Sequence, residues 1–413
     1  MAKKEDEAEK QVGDLHDVEA QFENIISTAL MVPIRGNPNK ASCHWGLPCI
    51  FWGLSGIGKS GRVEQAAQAV QLPYRVVYPA TRQPEDFSGV VVPSGDGVKI
   101  ECLLPAVRFL LKANRGLLFV DEASCAVPAV QGAMLSMIYE RVVGDTDIPG
   151  GIRIMMAANP PEYAAGGFAL EPPFANRIWH GKVGTPSVAK WGKWLMSEED
   201  DPQTTSIDDA EMKVKTNWGL HWPAIKGALY SFMERNQALF HKQPPPESPQ
   251  SGLAWPSPRT WYMAGRSMAT VRCLGTPKEL EQTFLEGLVG EGPATEFVGW
   301  LEKADLPNPK DVLEKGWKVD TKRLDRSVAV STSMISYVLG IQDKNEKYVM
   351  AALAWNRLGD FADANLADIA MSPAQTLVAR SLGRRGVPKA LQKAAEPVIG
   401  RFGLSGMAEY APE

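Results

Sequence analysis

Apolar positions along the chain change their spacing several times, and the spacing sorts the chain into elements. Val18, Phe22, Ile25, Ile26 and Leu30 recur at helical intervals, which predicts a helix between Leu15 and Met31. Pro48-Cys-Ile-Phe-Trp52 is a short unbroken apolar run, the pattern of a strand buried on both faces in a parallel sheet. Glycine-rich residues 53–58 follow and lead into a predicted helix through Val70. Tyr74–Tyr78, Gly116–Val120 and Ile152–Ala157 are three more predicted strands. Strands alternating with helices across short connections imply an α/β domain with a mostly parallel sheet. Two stretches read as hairpins set into it: Val90–Ile100, turning at Ser94-Gly-Asp-Gly97, and Arg141–Ile154.

Beyond about residue 195 the pattern becomes helical. It is interrupted by an acidic insertion at 197–209 and a proline-rich loop at 242–257. Val328–Leu339 and Tyr348–Leu358 are apolar helical stripes, and Arg380–Lys393 is a basic amphipathic stretch. The expected organisation is a polar tail (1–14), an α/β core (15–195), a helical region carrying both insertions (196–305) and a C-terminal helical extension (306–413).

Composition narrows the class. The 413 residues are 44% hydrophobic and 22% charged, values of a soluble globular protein. A net charge of −4 argues against a nucleic-acid coat or a polybasic membrane binder. Five cysteines in so long a chain exclude a disulfide scaffold and suit a reducing compartment. The charged opening MAKKEDEAEKQ lacks the apolar core of a signal peptide, and apolar runs such as Ile25–Ile34 fall short of the ~20 residues a membrane span needs. The expected location is the cytoplasm.

The chemistry concentrates in five places. Gly53-Leu-Ser-Gly-Ile-Gly-Lys-Ser60 matches G-x-x-x-x-G-K-[ST] and sits between a predicted strand and a predicted helix, as that motif requires. Backbone N–H groups of Gly53, Leu54, Ser55, Gly56, Ile57, Gly58, Lys59, Ser60 and Gly61 can wrap phosphates at the helix N-terminus. Lys59 would reach the terminal phosphates and the Ser60 hydroxyl would ligate Mg²⁺. Leu117-Leu-Phe-Val-Asp-Glu122 is an apolar strand ending in two acids. Asp121 can hold the magnesium water shell, and Glu122 can orient or deprotonate an attacking water. No N-K-x-D guanine signature is present, so ATP is favoured by elimination. Asn159, after another apolar strand, can bond a γ-phosphate or the lytic water, or can be an ordinary Asn-Pro turn. Arg177 is either a structural arginine or one that reaches a neighbour's nucleotide. Ser257-Pro-Arg-Thr260 opens a helix with Ser257 as cap, and Arg259 either faces an anion beneath it or belongs to a plain capped helix start.

In this order the five elements resemble the AAA+ ATPases, and specifically the MoxR family, over about residues 20–305. Tyr78–Gly89, Ala157–Tyr163, Leu170–Arg177 and Ser257–Arg259 carry the likeness besides the glycine-rich and acidic motifs. The resemblance implies a P-loop AAA+ core followed by an all-α lid and the helical extension. It makes Gly53–Ser60 the Walker A motif, Asp121 and Glu122 Walker B, Asn159 sensor 1, Arg177 a trans-acting arginine finger and Arg259 the sensor-2 arginine. It also implies ATP and Mg²⁺ as ligands, a homo-oligomeric, six-membered ring with both hairpins facing its centre, and a protein client, one with a von Willebrand factor A domain. One departure is Asn176, where the family usually has an acid before the finger arginine. The alternative reading is a nucleic-acid motor or clamp-loader-like subunit, for which Arg380–Lys393 is the best basic candidate, and neither the charge nor any DNA-binding motif supports it.

Other features carry less. Cys43, His44 and Cys49 are half of a metal site with no second pair at useful spacing. Trp191, Trp194, Trp218 and Trp222 are expected in the core of the lid junction rather than as a base-stacking platform.

Overall fold

A computed structural model describes residue 15 and residues 17–95, 97–160, 163, 167–196, 206–382 and 388–404. The polar tail, most of the acidic insertion and the centre of the basic stretch lie outside the described residues.

The parallel sheet expected from the sequence is present and has five strands: β1 (Cys49–Trp52), β2 (Tyr74–Val77), β3 (Arg115–Val120), β4 (Gly151–Ala158) and β5 (Trp179–Lys182), in the order β5-β1-β4-β3-β2. All of β1, β3 after Arg115 and β4 after Gly151 are buried, which is why these strands read as unbroken apolar runs. Trp52 is in register with both Ala158 and Lys182, and Val120 with both Met156 and Val77. The carboxyl ends therefore reach one common edge. The chain crosses from β1 to the far strand β2, returns through β3 and β4, and then passes over β1 to β5. In open sheets wound this way, ligands bind outside the carboxyl ends, where the winding changes direction.

Five helices matter for the site: α1 (Phe22–Leu30), α2 (Lys59–Ala69), α3 (Pro172–Ala175), α4 (Val188–Met196) and α5 (Pro258–Leu274). Phe22 of α1 packs edge-on against Phe51 of β1 with ring centroids 4.8 Å apart, so the predicted apolar stripe buries against the sheet. Three features differ from the sequence reading. Strand β5 carries no apolar run: it is Trp-His-Gly-Lys, and tertiary burial rather than pattern makes it a strand. The second hairpin shrinks to Val142–Val143 paired with Thr146–Asp147, because residues 151–158 belong to β4. The first hairpin stands, with Val90–Ser94 paired to Gly97–Glu101.

The chain divides into two compact units, Met1–Lys215 with Leu239–Thr295, and Thr216–Ala238 with Glu296–Glu413. In the first, α5 is fastened to the sheet side: Arg266 donates to the carbonyl of Pro33 and, over 2.6 Å, to that of Gly36. Trp179 of β5 donates to the Thr283 carbonyl over 3.2 Å. Helices of the second unit close around Leu313, Met334, Trp355, Leu358 and Phe361. There the buried Asp325 takes hydrogen bonds from Arg323 and Trp300, and the Arg323 guanidinium holds its carboxyl well below the usual range. No helix among the described residues is long and apolar enough to cross a membrane.

Candidate functional site

The glycine-rich loop leaves the carboxyl end of β1 and turns into α2. Gly56 and Gly58 adopt φ of +82° and +86°, left-handed values that favour glycine. Gly53 is required by space instead, since a Cβ there would lie 2.6 Å from the Val183 carbonyl oxygen. Leu54, Ser55, Gly56, Gly58 and Gly61 are exposed, so the loop presents its backbone to solvent. Gly56 and Gly61 border open space. These are the conditions for a cradle of N–H groups at a helix N-terminus.

Lys59 folds back beneath the loop and is buried. Its Nζ donates to the carbonyls of Gly53 (2.7 Å) and Leu54 (2.8 Å) and to Asn159 Oδ1 (3.1 Å). Burial pushes its ammonium down to about 8, against the opposing pull of Asp121 and Glu122. Ser60 Oγ donates to Asp121 Oδ2 over 2.7 Å, which joins the first turn of α2 to the end of β3. Ser124 Oγ donates to the Asn159 carbonyl over 2.8 Å, which joins the segment after β3 to the end of β4. Lys59, Ser60, Asp121 and Asn159 thus converge at the carboxyl edge of β1, β3 and β4.

Glu122 stands apart from that web. Its backbone is left-handed at φ +54°, ψ +41°, unusual for a residue with a Cβ. The chain holds it there through the Glu122 N–H bonded to Asp121 Oδ1 (3.0 Å) and the Cys125 N–H bonded to the Glu122 carbonyl (2.9 Å). The side chain is exposed, and among the described residues no hydrogen bond or ion pair engages its carboxylate. A strained, outward-turned carboxylate next to a half-buried one is suited to work on something not supplied by the same chain.

Ser60 and Asp121 also fit magnesium. A hydroxyl and a carboxylate within 2.7 Å are hard oxygen donors, and Mg²⁺ takes one or two such protein ligands while phosphates and water complete its octahedron.

The two arginines lie elsewhere. Arg177 precedes β5, at the amino edge of the sheet, whereas the glycine-rich loop follows β1 at the carboxyl edge, and β1 and β5 run parallel. Strands of four residues put roughly 13 Å of sheet between those edges. Arg177 donates to the Pro173 carbonyl over 2.7 Å and lies 3.6 Å from Glu140. Burial depresses the Arg177 guanidinium, and Arg259 depresses it further. Three guanidiniums share the Tyr139 ring: Arg259 at 4.8 Å from its centroid, Arg35 at 5.5 Å and Arg177 at 5.9 Å. Glu140 is the carboxylate paired with Arg35 and Arg177. The structure therefore brings Arg259 to Arg177, and neither makes a hydrogen bond, ion pair or ring contact with Lys59, Ser60, Asp121, Glu122 or Asn159 among the described residues.

Two connections were invisible in the sequence. Asn176 is buried, donates to the Trp255 carbonyl (3.1 Å) and accepts from the Ser257 hydroxyl (2.7 Å). It welds the segment before β5 to the N-terminus of α5, two residues from Arg259. Trp52, the last residue of β1, donates its indole N–H to His180 Nδ1 over 3.2 Å, and His180 Nε2 lies 3.0 Å from the Ala175 carbonyl of α3. His180 is therefore neutral with Nε2 carrying the proton, and burial pushes its imidazole down to about 4. One ring spans from the residue before Gly53 to the helix before Arg177. Trp191 and Trp194, expected in a core, are half-exposed at 50% and 52%.

No family model matches the chain, and no curated protein does. Among solved structures it is similar to the crystal structure of a candidate ATPase from Cytophaga hutchinsonii, at 13% sequence identity and a TM-score of 0.45, over 70% of this chain and 86% of that one.

Proposed function

We propose that the chain is a Mg²⁺-dependent ATPase of the AAA+ type, MoxR-like, that works as a six-membered ring of identical subunits and remodels a partner protein. The observation that carries this reading is the convergence of Lys59, Ser60, Asp121 and Asn159 at the carboxyl edge of the sheet, beneath a loop with exposed backbone. The amides of residues 53–61 bind the phosphates, and Lys59 exchanges its contacts with Gly53, Leu54 and Asn159 for the terminal phosphates. Ser60 and Asp121 would hold Mg²⁺, and the ion would supply positive charge to the bound phosphates. Asn159 orients the γ-phosphate or the attacking water, and Glu122 takes the proton from that water.

Arg177 and Arg259 act on the nucleotide of an adjoining subunit. The support is topological: the sheet stands between them and their own Lys59, and three guanidiniums around Tyr139 share little more than one carboxylate. That surplus of positive charge suits a neighbour's γ-phosphate. The hairpin Val90–Glu101, with Val91 and Val98 exposed, would face the client, and a von Willebrand factor A domain protein is the expected partner by family resemblance alone.

Mixing two inactive variants tests the reading. Glu122→Gln keeps the arginines and lacks the base; Arg177→Ala keeps the base and lacks the finger. Each alone should hydrolyse ATP about 10²- to 10⁴-fold more slowly than the wild type. Mixed, they should regain part of the rate, because some interfaces then pair an intact Glu122 with an intact Arg177. If the mixture stays as inactive as its components, the action across subunits is wrong.

A further inference from the structure

His180 of β5 is buried and takes no part in the chemistry proposed above. Strand β5 runs beside β1, with His180 in register with Ile50 and Lys182 in register with Trp52. The alternation of side chains along a strand therefore puts His180 on the same face as Trp52, one diagonal step away. Their rings lie 6.3 Å apart with planes 9° from parallel. A neutral imidazole has one acceptor and one donor. Here the acceptor takes the Trp52 indole N–H at the end of β1 (3.2 Å), and the donor serves the Ala175 carbonyl of α3 (3.0 Å). An apolar ring of that size would fill the position without two buried nitrogens to satisfy.

Both ends of that bridge touch the proposed machinery. Trp52 precedes Gly53, whose carbonyl accepts from Lys59 Nζ over 2.7 Å. Phosphates that draw Lys59 away from that carbonyl therefore act next to the residue that holds His180. At the other end, the Ala175 carbonyl belongs to the peptide that joins Ala175 to Asn176. The Ile178 N–H also points to it, at 3.4 Å, so His180 is the nearer of the two donors. The Asn176 side chain is fixed from its own side by Trp255 and Ser257. Arg177 comes next, with its N–H bonded to the Phe174 carbonyl (3.1 Å) and its guanidinium to the Pro173 carbonyl (2.7 Å). Helix α3 thus sets where Arg177 points, and His180 ties α3 to the end of β1.

Resting on the action across subunits proposed above, we propose that His180 is a positioning residue for Arg177. It ties the arginine that a subunit lends its neighbour to the strand end that carries that subunit's own glycine-rich loop. The consequence is felt at the neighbour's nucleotide, because that is where Arg177 acts. A group displaced by about 1 Å can cost about 10²-fold in rate. Loss of the bridge should therefore slow turnover and leave the nucleotide affinity of the altered subunit as it was.

The test places a His180 variant on one side of the subunit interface at a time. In the mixture of Glu122→Gln and Arg177→Ala chains, the first lends Arg177 and the second supplies Glu122. His180→Phe added to the Glu122→Gln chain should lower the restored ATP turnover about tenfold, and added to the Arg177→Ala chain it should leave that turnover unchanged. His180→Phe alone should bind ATP as the wild type does. His180→Gln, whose amide also offers one acceptor and a donor, should recover part of the turnover. If His180→Phe does not fold, Trp52→Phe, which keeps a ring and removes the indole N–H, is placed on each side in the same way. Equal losses from both placements would mean packing alone, and a loss confined to the Arg177→Ala side would mean that His180 serves its own loop. Either result overturns the proposal, as does no loss from either placement. A parent mixture that recovers no turnover is a distinct result: the action across subunits then fails, and the positioning role falls with it.

Discussion

The Ser257 hydroxyl donates to Asn176 Oδ1 across 2.7 Å, and both side chains are buried. Asn176 has an oxygen for Ser257 and an N–H for the Trp255 carbonyl, so an amide satisfies both neighbours where a carboxylate satisfies one. Asn176→Asp should therefore be pH-dependent. A protonated carboxyl can still donate to Trp255, whereas an ionised one turns a buried negative oxygen toward a carbonyl. The variant should match the wild type near pH 4 and lose about 1–3 kcal/mol near pH 8. Thermal unfolding at both pH values checks it: an equal loss at both would mean that the donated hydrogen is unimportant.

Lys59 has its ammonium pushed down to about 8 by burial. Phosphates placed beside it favour the charged form, so nucleotide binding between about pH 8 and 10 should take up a proton, and affinity should fall as pH rises past 8. Stability runs the other way. The unfolded lysine keeps its proton up to about 10.4, so between the folded and unfolded values the unfolded chain binds more protons and stability rises with pH. Calorimetry of ATP binding at pH 8.5, in two buffers of different ionisation enthalpy, measures the uptake. Zero uptake would mean that Lys59 meets no anion. Lys59→Met should lack both dependences.

His180, neutral and buried between Trp52 and Ala175, titrates near 4 when folded. Its ordinary value is about 6.5, so between pH 6.5 and 4 the unfolded chain binds the proton that the folded one refuses. Stability should fall as pH drops through that window, by up to about 3 kcal/mol from this one group. His180→Gln has no such titration and should flatten that part of the acid limb, at the cost of a lower plateau at pH 7. Denaturant unfolding at pH 4.5, 5.5 and 7 distinguishes the two curves, and parallel curves would show that His180 is not the group refusing protonation.

The chemistry that lies close in sequence was the part that could be read from it. Gly53–Ser60, Asp121 and Asn159 announce themselves because each sits at the end of an apolar run, and the same runs define β1, β3 and β4. Pairings between distant residues left no such trace. Trp52 and His180 are 128 positions apart, and Asn176 and Ser257 are 81 apart, so neither has a local pattern. Strand β5 was missed for a related reason, since Trp-His-Gly-Lys becomes a strand only by lying beside β1. The half-exposure of Trp191 and Trp194 was likewise beyond reach, since their spacing suits a core.

Tyr139 gives the last prediction, because Arg35, Arg177 and Arg259 all lie within 6 Å of its ring centre. A ring face attracts each guanidinium by about 0.5–1 kcal/mol and so offsets part of their mutual repulsion. Removing the ring should let Arg177 and Arg259 separate, without touching Lys59 or its loop. Tyr139→Leu should thus lower ATP turnover about tenfold and leave nucleotide affinity as it was, while Tyr139→Phe, which keeps the ring, should stay close to the wild type. The informative measurement is the double variant. If the ring acts by positioning the finger, adding Arg177→Ala to Tyr139→Leu should cost less than Arg177→Ala alone, since part of the same contribution has already gone. Fully additive losses would mean that Tyr139 and Arg177 act independently, and the shared ring would then be a matter of packing only.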